Sequence, residues 1–384
     1  MIPYSRQSIS KKDLKVVRNV LKSRLITQGP FIERFEKTIT KSVKCKYGTA
    51  VNSATSGLHI ACLALGLNSD HYLWTVPNTY VSSANCGRFC GAKIDFVDID
   101  PETLNISLDK LKRKLFISKN KKKLPKILVV VHLAGNPVDM LEIKKLSKKY
   151  KFKIIEDASH ALGSKINNIP IGSCKFSDIT VFSFHPVKII TTGEGGMVLT
   201  NSKEIKIRLD ILRNNGTTRN KRLFIQKNFQ PWKYEMQLLG YNYRMTDIQA
   251  ALGISQFSQH KKFVKKRNEI AALYKKKLNN NLIEFQKLKK GNFSSYHLMV
   301  ILLKIKKLKK TYKKIFSEIL KNKIGINLHY FPVHLQPYYL KHCGRLKLKN
   351  SENYAQRAIS IPIYYDLKKK DQILVINKLN KIIY

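Results

Sequence analysis

"TVFSFHPVKIITTGEGGMVLT", residues 180–200, joins two short apolar runs through a turn that carries one lysine, Lys188, and the glycines 193, 195 and 196. "TVFSF" and "GMVLT" read as strands, and "KEIKIRLDILRNN" after them has helical spacing. On the upstream side the same alternation recurs. "TAVNS" leads into "ATSGLHIACLALG", "YLWTVP" into "TYVSSANCGRFCG", "KIDFVDI" into "SLDKLKRKL", and "KILVVVH" into "VDMLEIKKLSKKY", before the strand-like "FKIIED". Repeated strand–helix alternation predicts an α/β fold, a mostly parallel sheet with helices on both faces. Ligands on such sheets collect at the carboxyl ends of strands.

Near residues 250–262 the alternation stops. "MTDIQAALGISQFSQHKKFVKKRNEIAALYKKKL" reads as one long helical stretch or as two helices with a join. Beyond it come the strand-like "SYHLMVILLK", a helix near 309–322, the loop "GINLHYFPVHLQPYY" and a last helix near 368–382. The expected organisation is a large α/β domain over 1–255, with an N-terminal entry segment, and a smaller α+β domain over 256–384.

Of the 384 residues, 43% are apolar, enough to bury a large core. No run approaches the ~18 apolar residues of a membrane span, and the opening "MIPYSRQSISKKDLK" lacks the core of a secretory signal, so a cytoplasmic protein is expected. The six cysteines form no CxxC pair and read as buried free thiols, and no metal site is expected. The balance of 72 basic to 25 acidic residues, a formal +47, raises the question of a nucleic acid. The lysines are spread along the chain, in "SKNKKKLPK" near 118–126, "KKFVKKR" near 261–267 and "KIKKLKKTYKK" near 304–314. They read as solvated helix faces and loops, without a helix-turn-helix, RRM-like or zinc-finger pattern. No nucleic-acid partner is expected.

Three strand ends carry chemistry. In "VNSATSGLH" the free N–H groups of Ala54, Thr55 and Ser56, at a helix start, can bind an anion such as phosphate, although Ser and Thr there are also ordinary N-caps. In "IIEDASHALG", Asp157 follows an apolar strand, with His160 three residues later. A carboxylate at that depth needs a cationic partner, such as a protonated pyridine nitrogen, unless it simply caps the next helix. In "TVFSFHPVK", Ser183 ends a strand and Lys188 follows. A lysine in a closed site loses solvation, its pKa falls, and its neutral amine can form a Schiff base.

With these residues on the page, the chain resembles the DegT/DnrJ/EryC1/StrS sugar aminotransferases, within the aspartate-aminotransferase-like fold (fold type I) of pyridoxal-phosphate enzymes. "TQGPFIERFE", "NSATSGLH", "EDASHALG", "FSFHPVKIITTGEGG" and "GYNYRMTDIQAALG" carry the resemblance, in the family's order and over nearly the whole chain. It implies pyridoxal 5'-phosphate as cofactor, with pyridoxamine phosphate during turnover. Lys188 is implied as the Schiff-base lysine and proton shuttle, Asp157 as the pyridinium partner, and His160 as the neighbour of the cofactor's ring hydroxyl. Tyr80 would stack on the pyridine, and Ala54, Thr55 and Ser183 would contact the phosphate. Asn242 would reach the phosphate of the partner subunit, which makes a homodimer part of the mechanism. Thr27 and Gln28 in "LITQGP", and His329 and Tyr330 in "LHYFPVH", match segments that line the sugar pocket. His185 is expected to shape the lysine turn, and His59 and His132 to pack or hydrogen-bond locally.

Within the family the opening "MIPYSRQSI", "LWTVPNTYVSSANC" and "DASHALGSKI" are most similar to the branch serving pseudaminic acid synthesis. That likeness implies glutamate as amine donor and a UDP-linked 4-keto-6-deoxy-N-acetylhexosamine as acceptor at C4. Alternatives are a 4-amino sugar of the bacillosamine, legionaminic or perosamine type. A sugar dehydratase on this fold carries histidine at the lysine position, and a nucleic-acid-binding regulator would be expected to have lost Lys188 or Asp157. Both residues are present.

Overall fold

A computed structural model describes residues 1–121, 123–226 and 230–383 of the chain. Lys122, in the lysine run near 118–126, lies outside them.

Seven strands form the main sheet. β1 is Tyr47–Val51, β2 Tyr72–Thr75, β3 Lys93–Phe96, β4 Pro125–Val131 and β5 Lys153–Asp157. After a small hairpin of β6 (Lys165–Ile166) and β7 (Ile169–Pro170) come β8, Ile179–Ser183, and β9, Gly196–Thr200. The order across the sheet is β1-β9-β8-β5-β4-β2-β3. From β3 to β8 every pairing is parallel, as expected. β9 is the exception, antiparallel to both β8 and β1. No helix lies between β8 and β9, so the chain turns straight back instead of crossing over, and a direct return makes the pair antiparallel.

Both faces of the sheet are covered. Along β4, Leu128 and Val130 join one core, with Phe182, Met197 and Leu199, while Ile127 and Val129 join the other, with Val181 and Val198. Neighbouring residues of a strand thus feed opposite cores, as a period of two requires. Helix Ala54–Ala64 lies on the second core, and Gly57 lets it approach closely: a Cβ there would stand 3.1 Å from Val181 and Val198 side-chain atoms.

The stretch after residue 245 is two helices, Asp247–Phe257 and His260–Lys277. The boundary expected at 255/256 therefore falls in the last turn of the first, and the break lies at Ser258 and Gln259. A three-stranded antiparallel sheet, Ile283–Phe285, Met299–Leu303 and Ala358–Ile361, packs with helices Tyr312–Lys321 and Lys369–Ile383 around a third core. Two features run across the expected division. Ile2 pairs with Ile324 of the second unit, and helices Pro337–Cys343 and Lys349–Ala355 pack back on the first. The loop reading of 325–339 missed the start of the former helix, which is seven residues long and is held by the buried Tyr339, whose hydroxyl donates to Asn85. A segment that short shows too few turns for a period.

All six cysteines are free, four of them buried. In the lysine run 261–267 the lysines at 261, 262 and 265 are exposed, but Arg267 is buried and donates to the carbonyls of His297 and Ile363. Among the described residues no helix is long and apolar enough to cross a membrane.

Candidate active site

Because β9 runs back beside β8, its first residue, Gly196, lies level with Ser183 at the end of β8 and with Val51 at the end of β1. Asp157, the last residue of β5, stands at the same edge. Here the sheet borders a cavity of about 510 Å³, within the ordinary range for a small-molecule site. Ala54, Thr55, Tyr80, Asp157, His160, Ser183, Lys188, His329 and Tyr330 all line it.

The turn that presents Lys188 is tied by its own backbone. Phe184 N–H donates to Gly195 O, Thr192 N–H to Phe184 O, and Lys188 N–H to His185 O at 2.9 Å, so His185 does shape the lysine turn. The residue as a whole keeps partial exposure, yet its amine is enclosed by protein and makes no hydrogen bond or ion pair among the described residues. Burial lowers its pKa to about 8, with the Asp157 carboxylate pulling the other way. Near neutral pH a useful share of the amine is therefore unprotonated. Competitive acylation followed by peptide mass spectrometry should give half-maximal reactivity of Lys188 near pH 8, against about 10.4 for surface lysines. A surface-like profile would refute the enclosed amine.

Asp157 is buried. Its Oδ1 accepts from the Ser159 hydroxyl at 2.6 Å and the Ser159 N–H at 3.1 Å, and its Oδ2 from the Ser83 hydroxyl at 2.6 Å. Ser83 is in turn 2.6 Å from the Thr79 hydroxyl. Since Ser83 spends its proton on the carboxylate, Thr79 donates to Ser83, and the chain of hydroxyls supports the anion. The cationic partner expected for Asp157 is not a side chain in contact. Oδ2 keeps a lone pair for another donor.

The anion cradle is smaller than expected. Ser53 Oγ already accepts the Ser56 N–H at 3.1 Å, capping the helix, which leaves the N–H groups of Ala54 and Thr55 without an acceptor among the described residues. The Thr55 hydroxyl sits 2.8 Å from that of Ser82. Gly196 closes in from β9, so near that a Cβ would stand 2.9 Å from Ala54 N and from Ser53 O. Only glycine leaves this helix start in place.

On the other wall, His160, His297, His329 and Tyr330 cluster. His329 Nδ1 is 2.8 Å from Ser360 Oγ, and burial, then Lys188, pushes its pKa down to about 3. Burial likewise holds His160 and His297 well below the ordinary range. At neutral pH these imidazoles are uncharged. Tyr80 is 60% exposed, its ring 6.0 Å from that of Tyr330.

Three expected residues are not in this chain's cavity. Asn242 is exposed and paired with Asn214. Thr27 and Gln28 are exposed too, and the reason is visible: Asp247 accepts from the N–H groups of Gly29 and Phe31, pinning the segment to the start of helix Asp247–Phe257. Their expected place in the sugar pocket is not met within one chain. Conversely, sequence reading missed Tyr4, Ser82, Ser83, Ser159 and His297. The serines adjoin segments already singled out, but nothing in the spacing separates them from helix-start serines. Tyr4 and His297 reach the cavity from remote elements. His59 and His132 do bond locally, to Tyr243 and Glu156.

The profile of the DegT/DnrJ/EryC1/StrS aminotransferase family matches residues 7–380, and the chain belongs to that family. It is 38% identical, over 97% of its own length and 94% of the relative's, to UDP-4-amino-4,6-dideoxy-N-acetyl-beta-L-altrosamine transaminase of Campylobacter jejuni. It is 32% identical to GDP-perosamine synthase of Escherichia coli O157:H7, covering 99% of this chain and 98% of the relative. Among solved structures, PseC of Helicobacter pylori, an aminotransferase of pseudaminic acid biosynthesis, superposes with a TM-score of 0.91 at 30% identity, covering 100% of this chain and 99% of that one. The protein is a sugar aminotransferase of the aspartate-aminotransferase-like fold, and its cofactor is pyridoxal 5'-phosphate. The cavity fits that cofactor: among the described residues it brings together two free helix-start N–H groups for a phosphate, a buried carboxylate with a lone pair to spare, and a lysine amine without a hydrogen-bond partner.

Proposed function

We propose that the enzyme, a cytoplasmic homodimer, moves the amino group of L-glutamate to C4 of a UDP-linked 4-keto-6-deoxy-N-acetylhexosamine. The products are 2-oxoglutarate and UDP-4-amino-4,6-dideoxy-N-acetyl-β-L-altrosamine, which leads to pseudaminic acid. The observation that carries the transaminase chemistry is the enclosed, unpartnered Lys188 amine in one cavity with Asp157. The choice of sugar rests on the likeness to the Campylobacter and Helicobacter enzymes over nearly the full chain.

In this reading the Ala54 and Thr55 N–H groups, with the Thr55 and Ser183 hydroxyls, hold the phosphate, and Tyr80 covers one face of the ring. Asp157, held in place by hydrogen bonds from Ser83 and Ser159, would accept the pyridine N–H. When bound, pyridoxal phosphate supplies the electron sink that takes up the pair left as a substrate C–H bond breaks. Lys188 Nζ holds the cofactor between turnovers, accepts the proton lost from glutamate Cα, and later delivers one to C4 of the sugar. The neutral histidines around it do not compete for that proton. His329 and Tyr330 face the sugar, and Asn242, outside its own chain's cavity, serves the phosphate of a second copy.

A different 4-keto-6-deoxy sugar nucleotide is the second reading, favoured by the likeness to GDP-perosamine synthase. Mass spectrometry of the products separates the two. Offered glutamate and two UDP-4-keto-6-deoxy-N-acetylhexosamines that differ at C5, the enzyme should aminate only the C5-inverted L-arabino sugar. Amination of the uninverted sugar alone would move it to another 4-amino sugar.

A further inference from the structure

His160 and Tyr330 stand 170 residues apart in the chain and meet across the cavity wall, His160 Nε2 to Tyr330 Oη at 3.1 Å. Which of them donates is decided on the far side of the imidazole. The backbone N–H of Ala134 donates to His160 Nδ1 at 3.2 Å. Nδ1 must then present its lone pair, and in a neutral ring the proton sits on Nε2. The ring is neutral, because burial, Lys188 and His329 all disfavour its charged form. His160 therefore donates, and Tyr330 Oη accepts.

Tyr330 is left with a hydroxyl proton that has no acceptor among the described residues, on a ring that lines the cavity. Burial, then the Asp157 carboxylate and the tyrosines 4, 354 and 80, raise its pKa, so it keeps that proton. The imidazole has little room to turn. It meets Tyr330 edge to edge, with ring centroids 6.0 Å apart and 22° between the planes, and His297 packs against it with ring centroids 4.4 Å apart.

We propose that His160 is a positioning residue, whose fixed tautomer aims the Tyr330 hydroxyl into the cavity as a neutral hydrogen-bond donor for the carbonyl oxygen of the amine acceptor. This rests on the aminotransferase reading and assigns the group that meets the oxygen. When nitrogen takes the oxygen's place on the acceptor carbon, negative charge builds on the oxygen as its double bond opens, the two protons of the attacking amine end on it, and it leaves as water. A donor already aimed there lowers the barrier without giving up its own proton. In the glutamate half-reaction the same donor meets the oxygen that water brings to Cα.

The test joins a spectrum with kinetics. In holoenzyme labelled with ¹⁵N-histidine, His160 should show a protonated Nε2 and an unprotonated Nδ1, and Tyr330→Phe should move the Nε2 resonance. A protonated Nδ1 would overturn the proposal. In single turnovers, Tyr330→Phe should slow each half-reaction about 100-fold. His160→Leu should do nearly the same, and the double variant should be no worse than Tyr330→Phe alone. His160→Gln, whose amide N–H can stand where Nε2–H stood, should recover most of the loss. Additive losses, or no rescue by glutamine in a folded protein that binds cofactor, would also overturn it. Should no keto-sugar be aminated, the choice of substrate fails, while the glutamate half-reaction still decides the role of His160 and Tyr330.

Discussion

Lys188→Ala should lower turnover by about 10⁴-fold or more, the upper range for loss of a positioned acid–base group that also holds the cofactor. It should also end covalent labelling, so that borohydride reduction in the presence of pyridoxal phosphate no longer attaches cofactor to the chain. The chain holds 58 lysines, which makes the labelling a demanding control. What marks Lys188 is an enclosed amine, pKa about 8, without a hydrogen-bond partner among the described residues. Loss of activity should not reflect unfolding. A lysine whose folded pKa is lowered costs stability below about pH 8, and that cost fades as pH rises from about 8 toward the unfolded value near 10.4. Removing the charge at pH 7 therefore favours folding. Labelling that persists at another lysine would mean the wrong residue has been chosen.

Asp157→Asn should leave a folded protein and slow both half-reactions by on the order of 100-fold or more, the scale of one lost electrostatic stabiliser. The substitution preserves shape while replacing one carboxylate oxygen by a donor. Ser83 and Ser159 both supply protons to the carboxylate, so the new amide nitrogen must face one of them, and the pyridine nitrogen loses the anion that keeps it protonated. Circular dichroism and stopped-flow rates together check the result. Wild-type rates in a variant that binds cofactor would mean that another carboxylate serves the ring.

Much of this was legible in the chain. The strands of the main sheet could be read because buried parallel strands are continuous apolar runs, as in "KILVVV", and the helices between them because their apolar residues recur at three and four. Lys188, Asp157 and the helix start at Ala54 could be placed at strand ends for the same reason. The reversal of β9 could have been found as well, since the 12 residues between Ser183 and Gly196 carry no helical pattern. The strand Ala358–Ile361 and the helix Lys349–Ala355 could not, being too short to show a period.

Patterns of spacing act along the chain, so the sequence specifies the order of strands and helices, the strand ends, and which residue types stand at them. They carry no information about which distant segments share a wall. That Asp247 holds Thr27 and Gln28 away from the cavity, and that Ser83 supports Asp157, follow from hydrogen bonds between segments remote in sequence. The Ala134 amide chooses the proton of His160, and through it the direction of Tyr330. Such contacts exist only once the chain has closed on itself, because burial leaves each polar group to find its partner among whatever the packing brings near.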